Sequence, residues 1–201
     1  MHRRDVLKLL TSAPLAAGFA WTDADAHAAT AFAEAAQQRA ATGTPFTPRF
    51  FTAHEWETIR LLVDIIIPRD ERSGSATDAG VPEFMDFIVL DQPARQVAMR
   101  GGLAWLDLEC QRRFDKTFAQ CAAADRTTVL DEIAWPSRAT PERAHGVAFF
   151  SSFRDLTATG YWTSRMGIAD LQYMGNRSVA QWRGCPDEAL RKLGVKYGDP
   201  A

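Results

Sequence analysis

The sequence contains few of the side chains that build metal and haem sites. Three cysteines and four histidines occur among 201 residues, and no two of them stand at the spacing of zinc ligands. A Cys-x-x-Cys-His sequence, which would attach haem covalently, is missing. We therefore expect no metal site and no haem in this chain.

The motifs of several common enzyme classes are missing as well. The sequence has no G-x-G-x-x-G dinucleotide fingerprint, no P-loop and no G-x-S-x-G nucleophile motif. Gly101 and Gly102 form an isolated pair with no predicted strand before it. His54 and His145 are the only histidines after residue 28, and neither stands in a context that indicates a catalytic triad. The sequence predicts no catalytic or cofactor-binding site, so any flavin would have to belong to another chain.

Charge and hydropathy argue against two further kinds of protein, those that bind nucleic acid or anionic membranes and those that span a membrane. The formal net charge is −2, and omitting residues 1–28 removes equal numbers of acidic and basic side chains. A nearly neutral chain lacks the basic surface that binds nucleic acid or anionic membranes. After residue 28, no apolar stretch reaches the roughly 20 residues needed to span a bilayer. The remaining residues suffice for one domain with a substantial core.

The chain begins MHRRDVLKLLTSAPLAAGFAW, which is organised like an export signal. Arg3, Arg4 and Lys8 form a positive region, and a mostly apolar segment follows at residues 9–21. That segment is too short and too interrupted for a membrane anchor. The alternative is a basic amphipathic first helix, against which the proline and glycine in the segment argue.

The order Arg3-Arg4-Asp5-Val6-Leu7-Lys8 resembles a twin-arginine signal, with Arg3, Arg4, Leu7 and Lys8 as its export residues. The twin-arginine translocase exports proteins that are already folded. An ordinary Sec signal is the alternative. Ala26 and Ala28 supply small residues at the two positions that a signal peptidase reads, so we expect cleavage after Ala28 and a periplasmic location.

The pattern beyond the leader is helical. The Ala-rich residues 29–41 have little to bury and suggest a loosely attached arm, so that 29–51 form an arm and linker ahead of one domain at 52–201. Helices are predicted from a Thr52–Glu55 capping box to Pro68, from Pro82 through Leu90, at 93–113, at 123–134 and from Pro141 onward.

Two of these helices have predicted inward faces. Val97, Ala104, Trp105 and Leu108 would face inward on the third, and Phe149, Phe150, Phe153 and Leu156 would form a core stripe on the last. The fold class is an all-α bundle of about five to six helices.

Residues 160–186 differ from the rest because they are rich in aromatics and glycines and lack a sustained helical period. Aromatic and Arg side chains dominate interface hot spots, and disordered segments are depleted in aromatics. We predict an irregular partner-binding segment, and the alternative is a tail packed on its own domain. Its predicted contact residues are Tyr161, Trp162, Tyr173, Gly175, Asn176, Arg177, Trp182, Cys185 and Pro186.

The odd number of cysteines suggests one disulfide and one remaining thiol in an oxidising compartment. A turn near 115–117 could bring Cys110 and Cys121 together, so we predict an internal bond between them. Cys185 would then be free or bonded to a partner. The alternative is three reduced, buried cysteines.

Two regions resemble the gluconate 2-dehydrogenase subunit 3 family. The first is Ile66-Ile67-Pro68 with Ala79-Gly80-Val81-Pro82-Glu83-Phe84. The second comprises Phe149-Phe150, Leu156-Thr157, Gly160-Tyr161, Ser164, Gly167-Ile168, Asp170-Leu171, Tyr173, Gly175-Asn176 and Trp182-Arg183-Gly184-Cys185-Pro186. The resemblance covers most of residues 50–186, and the Y-x-G-N and W-x-G-C-P elements are its most specific features.

The resemblance implies a small subunit without catalysis of its own. In this family it accompanies a large, GMC-type FAD-dependent dehydrogenase that oxidises a sugar, sugar acid or glycoside, with a cytochrome c subunit, and so haem c, as a further component. The large subunit would leave the cytoplasm on the small subunit's leader. The alternative function is an independent small periplasmic helical enzyme or ligand-binding protein.

Overall fold

The computed structural model describes residues 23–43, 46–173, 175, 181 and 184–197, and these contain eight α-helices and no strand. The all-α class predicted from the sequence is confirmed. The helices are α1 (Asp23–Ala41), α2 (Ala53–Ile66), α3 (Val81–Asp91), α4 (Gln96–Phe114), α5 (Ala123–Asp131), α6 (Ala144–Thr163), α7 (Arg165–Asp170) and α8 (Asp187–Leu193). Short 3₁₀ turns at Pro93–Arg95 and Pro141–Arg143 lead into α4 and α6.

Local signals set the helix ends. At the start of α2, the Glu55 backbone N–H donates to Thr52 Oγ1 at 3.2 Å, and the Thr52 N–H donates to Glu55 Oε2 at 2.8 Å. This reciprocal pair is the predicted capping box. The helix ends at Ile66, two residues before Pro68, because proline restricts the residue ahead of it. Pro82 lies in the first turn of α3, as predicted.

The core forms where α3 and α6 meet α2 and α4. The predicted Phe stripe on α6 is buried, and so is one face of α3. On α3, the buried Asp86 carboxylate accepts backbone N–H groups of Arg49, Phe50 and Phe51. One side chain thereby fixes the segment that leads into α2 and supplies partners for three N–H groups.

The predicted inward face of α4 is wrong in three of its four residues. Val97 and Leu108 are 84% and 57% exposed, and Ala104 is also exposed, while Trp105 is half-buried. The buried residues are instead Met99, Gly102, Leu103, Leu106, Glu109 and Cys110. Apolar periodicity misses this face because it carries a glycine against which α6 packs and a glutamate that is ion-paired.

Helix α1 is not the loosely attached arm that its composition suggests. It packs against α3 and α6, and Ala29, Ala33 and Ala36 are buried. The Thr30 and Thr163 hydroxyl oxygens lie 2.9 Å apart, linking α1 to the end of α6. Alanine buries little area per residue, but it lets two helix backbones approach closely, which composition alone does not reveal.

No helix among residues 23–43, 46–173 and 184–197 is long and apolar enough to cross a membrane.

Candidate partner-binding surface

The beginning of the segment predicted to be irregular is helical. Residues 160–163 complete α6, and 165–170 form α7. Ser164 Oγ accepts the Gly167 N–H at 3.0 Å and donates to the Tyr161 carbonyl at 2.7 Å. A Cβ on Gly167 would lie 2.0 Å from that carbonyl oxygen. Glycine is therefore required for α7 to fold back this closely on α6, and the described residues after α7 are irregular until α8.

Tyr161 is a core residue, which corrects its predicted role in partner contact. Its side chain is 1% exposed. The hydroxyl lies 2.5 Å from Ser73 Oγ and 3.3 Å from the Gly74 carbonyl oxygen. Tyr161 thus fixes the loop between α2 and α3, which spans residues 67–80, against the end of α6.

The same loop holds α7 in place. The Arg72 guanidinium lies 2.5 Å from the Asp170 carbonyl oxygen and 3.0 Å from its carboxylate. Within the loop, the Arg72 and Ser73 N–H groups donate to Asp70, and these hydrogen bonds hold the pKa of Asp70 below its ordinary value. The α2–α3 loop and the residues from Tyr161 to Asp170 are far apart in sequence, yet these contacts join them into one braced unit.

Four large apolar side chains of this unit face solvent. They are Trp162 (38% exposed), Ile168 (41%), Leu171 (55%) and Tyr173 (57%), which we call the C-terminal apolar surface. Single exposed apolar residues are ordinary. Four large ones within twelve residues, on a braced support, are typical of an interaction site. The prediction named Trp162 and Tyr173 and missed Ile168 and Leu171, whose apolar character was the available signal.

The other predicted contact residues are divided between described and undescribed positions. Gly175, Cys185 and Pro186 are exposed, and the Cys185 N–H donates to the Tyr197 hydroxyl at 2.5 Å. Asn176, Arg177 and Trp182 lie outside the described residues, as do the export residues Arg3, Arg4, Leu7 and Lys8. Sequence reasoning also missed the exposed apolar residues Leu193, Val195 and Tyr197 near the end of the chain.

Cys110 and Cys121 lie together in the core as free thiols. The chain turns after α4 at Asp115, which has a left-handed φ of 56°. Burial, together with the adjacent Cys121 thiol, raises the pKa of Cys110. The predicted proximity is present, and the disulfide between them stays a prediction. Cys185 is an exposed free thiol, whereas the other two are buried.

A mostly apolar groove of about 360 Å³ runs between α4 and α6. Its lining includes the exposed Val97 together with Trp105, His145, Phe153 and Leu156. His54, the other histidine considered from sequence, lies elsewhere, with Nε2 2.6 Å from Asp107 Oδ2. Across the described part of the chain, no group of three or more His, Cys, Asp or Glu side chains is arranged to hold a metal ion.

No curated protein and no solved structure shows a significant match to this chain. The sequence pattern of the family described as gluconate 2-dehydrogenase subunit 3 matches residues 53–181. That range includes the α2–α3 loop, α6, α7 and all four residues of the C-terminal apolar surface. Since it covers more than half of the sequence, the chain belongs to the gluconate 2-dehydrogenase subunit 3 family.

Proposed function

We propose that this chain is the non-catalytic small subunit of an FAD-dependent dehydrogenase complex that oxidises a sugar, sugar acid or glycoside. The family name denotes one subunit of a multi-subunit gluconate dehydrogenase. The observation that carries the proposal is the C-terminal apolar surface, which is displayed on a unit braced by Tyr161 and Arg72. The proposed occupant is the large, GMC-type flavoprotein, which holds the FAD.

The rigidity of the support favours a docking role. Exposed apolar side chains gain free energy when a partner removes them from water, and a preformed surface loses less conformational entropy on binding. Ser73 and Gly74 position Tyr161, and Arg72 holds the end of α7 through Asp170. Trp162 and Ile168 are therefore presented in fixed positions before a partner arrives.

The second part of the proposal is export and maturation of the flavoprotein. Arg3 and Arg4 would address the complex to the twin-arginine translocase, and the large subunit would cross in the folded state while bound to this chain. The complex would then be periplasmic and membrane-associated through other subunits. A cytochrome c subunit with haem c would accept the electrons that the flavin removes from the substrate.

Charge substitutions on the C-terminal apolar surface test the docking role. A tagged chain with Ile168→Glu and Leu171→Glu should co-purify with far less flavoprotein than the unsubstituted chain, measured by flavin absorption. Val97→Glu with Leu108→Glu is the matched control, because it makes the same kind of change at two exposed positions of α4. Equal flavoprotein recovery from both double variants, each with an unchanged circular dichroism spectrum, would reject this surface as the docking site.

The export role has a separate test. Arg3→Lys together with Arg4→Lys keeps the positive charge but removes the twin-arginine pair. Both this chain and the flavoprotein should then remain in the cytoplasmic fraction, detected by immunoblot of fractionated cells. A flavoprotein that still reaches the periplasm would show that it does not depend on this chain for export.

The groove between α4 and α6 supports the alternative, an independent small ligand-binding protein or enzyme. Trp105 lines the groove, so a bound small molecule should change its fluorescence. Saturable binding or turnover by the purified chain, without a second subunit, would favour this function. Co-purification of a flavoprotein that is lost in the Ile168→Glu, Leu171→Glu variant would favour the subunit.

A further inference from the structure

The groove between α4 and α6 contains one guanidinium in a mostly apolar lining. Arg95, in the 3₁₀ turn before α4, is 5% exposed and lines this groove. The described lining includes no acidic side chain, and its other polar side chains are Ser152 and His145. The volume of about 360 Å³ lies within the range of small-molecule sites, about 300–1,000 Å³. The C-terminal apolar surface contributes no residue to this lining, so the groove is a separate candidate site.

Two packing contacts show how the groove is oriented. A Cβ on Gly102 of α4 would meet the Phe149 ring of α6, and a Cβ on Gly146 of α6 would meet the Trp105 ring of α4. Rising residue numbers on α4 therefore face falling numbers on α6, so the two helices are antiparallel. The lining on the α4 side extends from Arg95 to Trp105, which is about 15 Å at ~1.5 Å per residue. The groove is therefore elongated, with Arg95 at the end where α4 begins.

Arg95 keeps its positive charge although it is buried. Burial lowers the pKa of Arg95, but a guanidinium stays protonated in proteins. Its Nε donates to Gln92 Oε1 at 2.6 Å, which helps to fix the side chain. A guanidinium matches the geometry of a carboxylate, and its attraction to an anion is stronger in a low dielectric than in water. This end of the groove therefore suits a carboxylate head group.

We propose that the groove binds a medium-chain fatty acid, with its carboxylate on Arg95 and its alkyl chain against Phe149 and Phe153. The apolar lining removes the chain from water, which supplies binding free energy. A volume of about 360 Å³ accommodates one alkyl chain, whereas a helix of a partner protein is about 10–12 Å across with its side chains. The absence of acidic residues from the described lining favours an anion over a cation.

Titration calorimetry with decanoate and 1-decanol tests the head group, because the two probes have the same chain and differ in charge. The purified chain should bind decanoate saturably. Arg95→Met should weaken decanoate binding about tenfold or more, since a hydrogen bond to a charged group is lost, and should leave 1-decanol binding unchanged. Arg95→Lys should retain part of the decanoate affinity, because the positive charge remains.

A second substitution tests the position of the alkyl chain without changing Arg95. Gly101 lines the groove, and a Cβ built on it meets nothing within 4 Å. Gly101→Leu should therefore fold and fill part of the groove, so that both decanoate and 1-decanol bind about tenfold or more weakly, as a displaced alkyl chain would. Ala104→Leu is the matched control, because Ala104 is exposed on the same helix and is not part of the lining. It should bind both probes like the unsubstituted chain.

The outcomes separate this inference from the proposed subunit role. Failure of the unsubstituted chain to bind decanoate saturably overturns the inference and leaves flavoprotein docking intact. Decanoate binding that is unchanged by Arg95→Met, or by Gly101→Leu, also overturns it. The Ile168→Glu, Leu171→Glu variant should bind decanoate normally while losing the flavoprotein. Decanoate binding by a chain that recovers no flavoprotein even without substitutions would support the inference and reject the subunit role.

Discussion

Gly101 and Gly102 are neighbours in α4 but have opposite surroundings. A Cβ built on Gly102 would lie 1.8 Å from the Phe149 ring of α6, whereas a Cβ on Gly101 meets nothing within 4 Å. Gly102 therefore permits the close approach of α4 and α6. Gly101 has no such role, and it weakens the helix because glycine is the more flexible residue in the unfolded chain.

We expect the two alanine substitutions to have opposite effects. Gly102→Ala should lower the free energy of unfolding by about 2 kcal/mol, because Phe149 must shift within a packed core. Gly101→Ala should raise it by about 0.5–1 kcal/mol through higher helix propensity. Urea unfolding of both variants checks this pair. Equal effects of the two substitutions would contradict the packing of Phe149 on Gly102.

The three cysteines should differ sharply in reactivity. Cys110 and Cys121 are buried, and the raised pKa of Cys110 keeps its thiol protonated near neutral pH, whereas alkylation requires the thiolate. Exposed Cys185 should therefore be alkylated first in the native protein, as measured by mass spectrometry. Native labelling of Cys110 as fast as Cys185 would contradict the buried position.

Labelling after denaturation tests the disulfide predicted from the sequence. Denaturation without reductant should make all free thiols reactive. Three labels in total would mean that Cys110 and Cys121 are both reduced. A single label, at Cys185, would mean that the predicted bond between Cys110 and Cys121 has formed.

At the scale of elements, an ion cluster joins α4 to the segments around α5 and α6. Arg113 lies 2.7 Å from carboxylate oxygens of both Glu109 and Glu132, and Arg143 contacts the same two carboxylates at 2.5 and 3.0 Å. Burial acts to raise the pKa of Glu109, but hydrogen bonds from Arg143 and Arg113 outweigh it and hold that pKa below its ordinary value. The Arg113 hydrogen bond similarly lowers the pKa of Glu132.

This cluster predicts a loss of stability in acid. Carboxylates whose pKa values are depressed by folding contribute stability above their unfolded pKa, near 4.3, and that contribution is lost as pH falls through the folded values. Glu109→Gln should lower stability by about 3 kcal/mol at pH 7, because two arginines lose a buried partner. Between pH 7 and pH 3 the variant should lose less stability than the unsubstituted chain.

Urea unfolding at a series of pH values measures this difference. Glu57→Gln is the control, since Glu57 is exposed on α2 and should follow the unsubstituted chain. A Glu109→Gln variant that lost stability as steeply as the unsubstituted protein below pH 5 would show that the cluster does not govern acid sensitivity.

Comparison of the predicted helices with the structure shows which local sequence signals were reliable. The Thr52–Glu55 capping box and Pro68 placed both ends of α2 correctly, because a cap and a helix stop act within one turn of the chain. The inward face of α4 was wrong because it depends on the α6 residue that packs against Gly102. The helical continuation through Gly160 was missed for a related reason, since that glycine packs against Phe84 of α3.

At the scale of the whole molecule, α1 is part of the fold. The Phe32 and Phe87 ring centroids lie 5.0 Å apart across α1 and α3, and α1 covers the buried start of α3. Re-exposing ~200 Å² of apolar surface costs about 5 kcal/mol at ~25 cal/mol per Å². A domain of this size has only about 5–15 kcal/mol of stability, so losing α1 would remove a large share of it.

Two truncations test the contribution of α1. A chain beginning at Asp23 should unfold at the same urea concentration as the full-length chain. A chain beginning at Thr42 lacks α1 and should be destabilised by several kcal/mol or recovered as aggregate. Equal unfolding midpoints for both truncations would show that α1 contributes nothing to the core.

Short-range chemistry along the chain is enough to assign the all-α class, most helix ends, the buried Phe stripe of α6 and the family resemblance. Caps, prolines and helical periodicity act over a few residues, so they can be read without the fold. Only the tertiary structure showed three further features: the packing of α1, the burial of Tyr161 and the contact of the α2–α3 loop with α7. All three depend on contacts between distant parts of the chain, and the Tyr161–Ser73 and Arg72–Asp170 contacts join side chains more than 80 positions apart. No local pattern specifies which distant residue will be the partner.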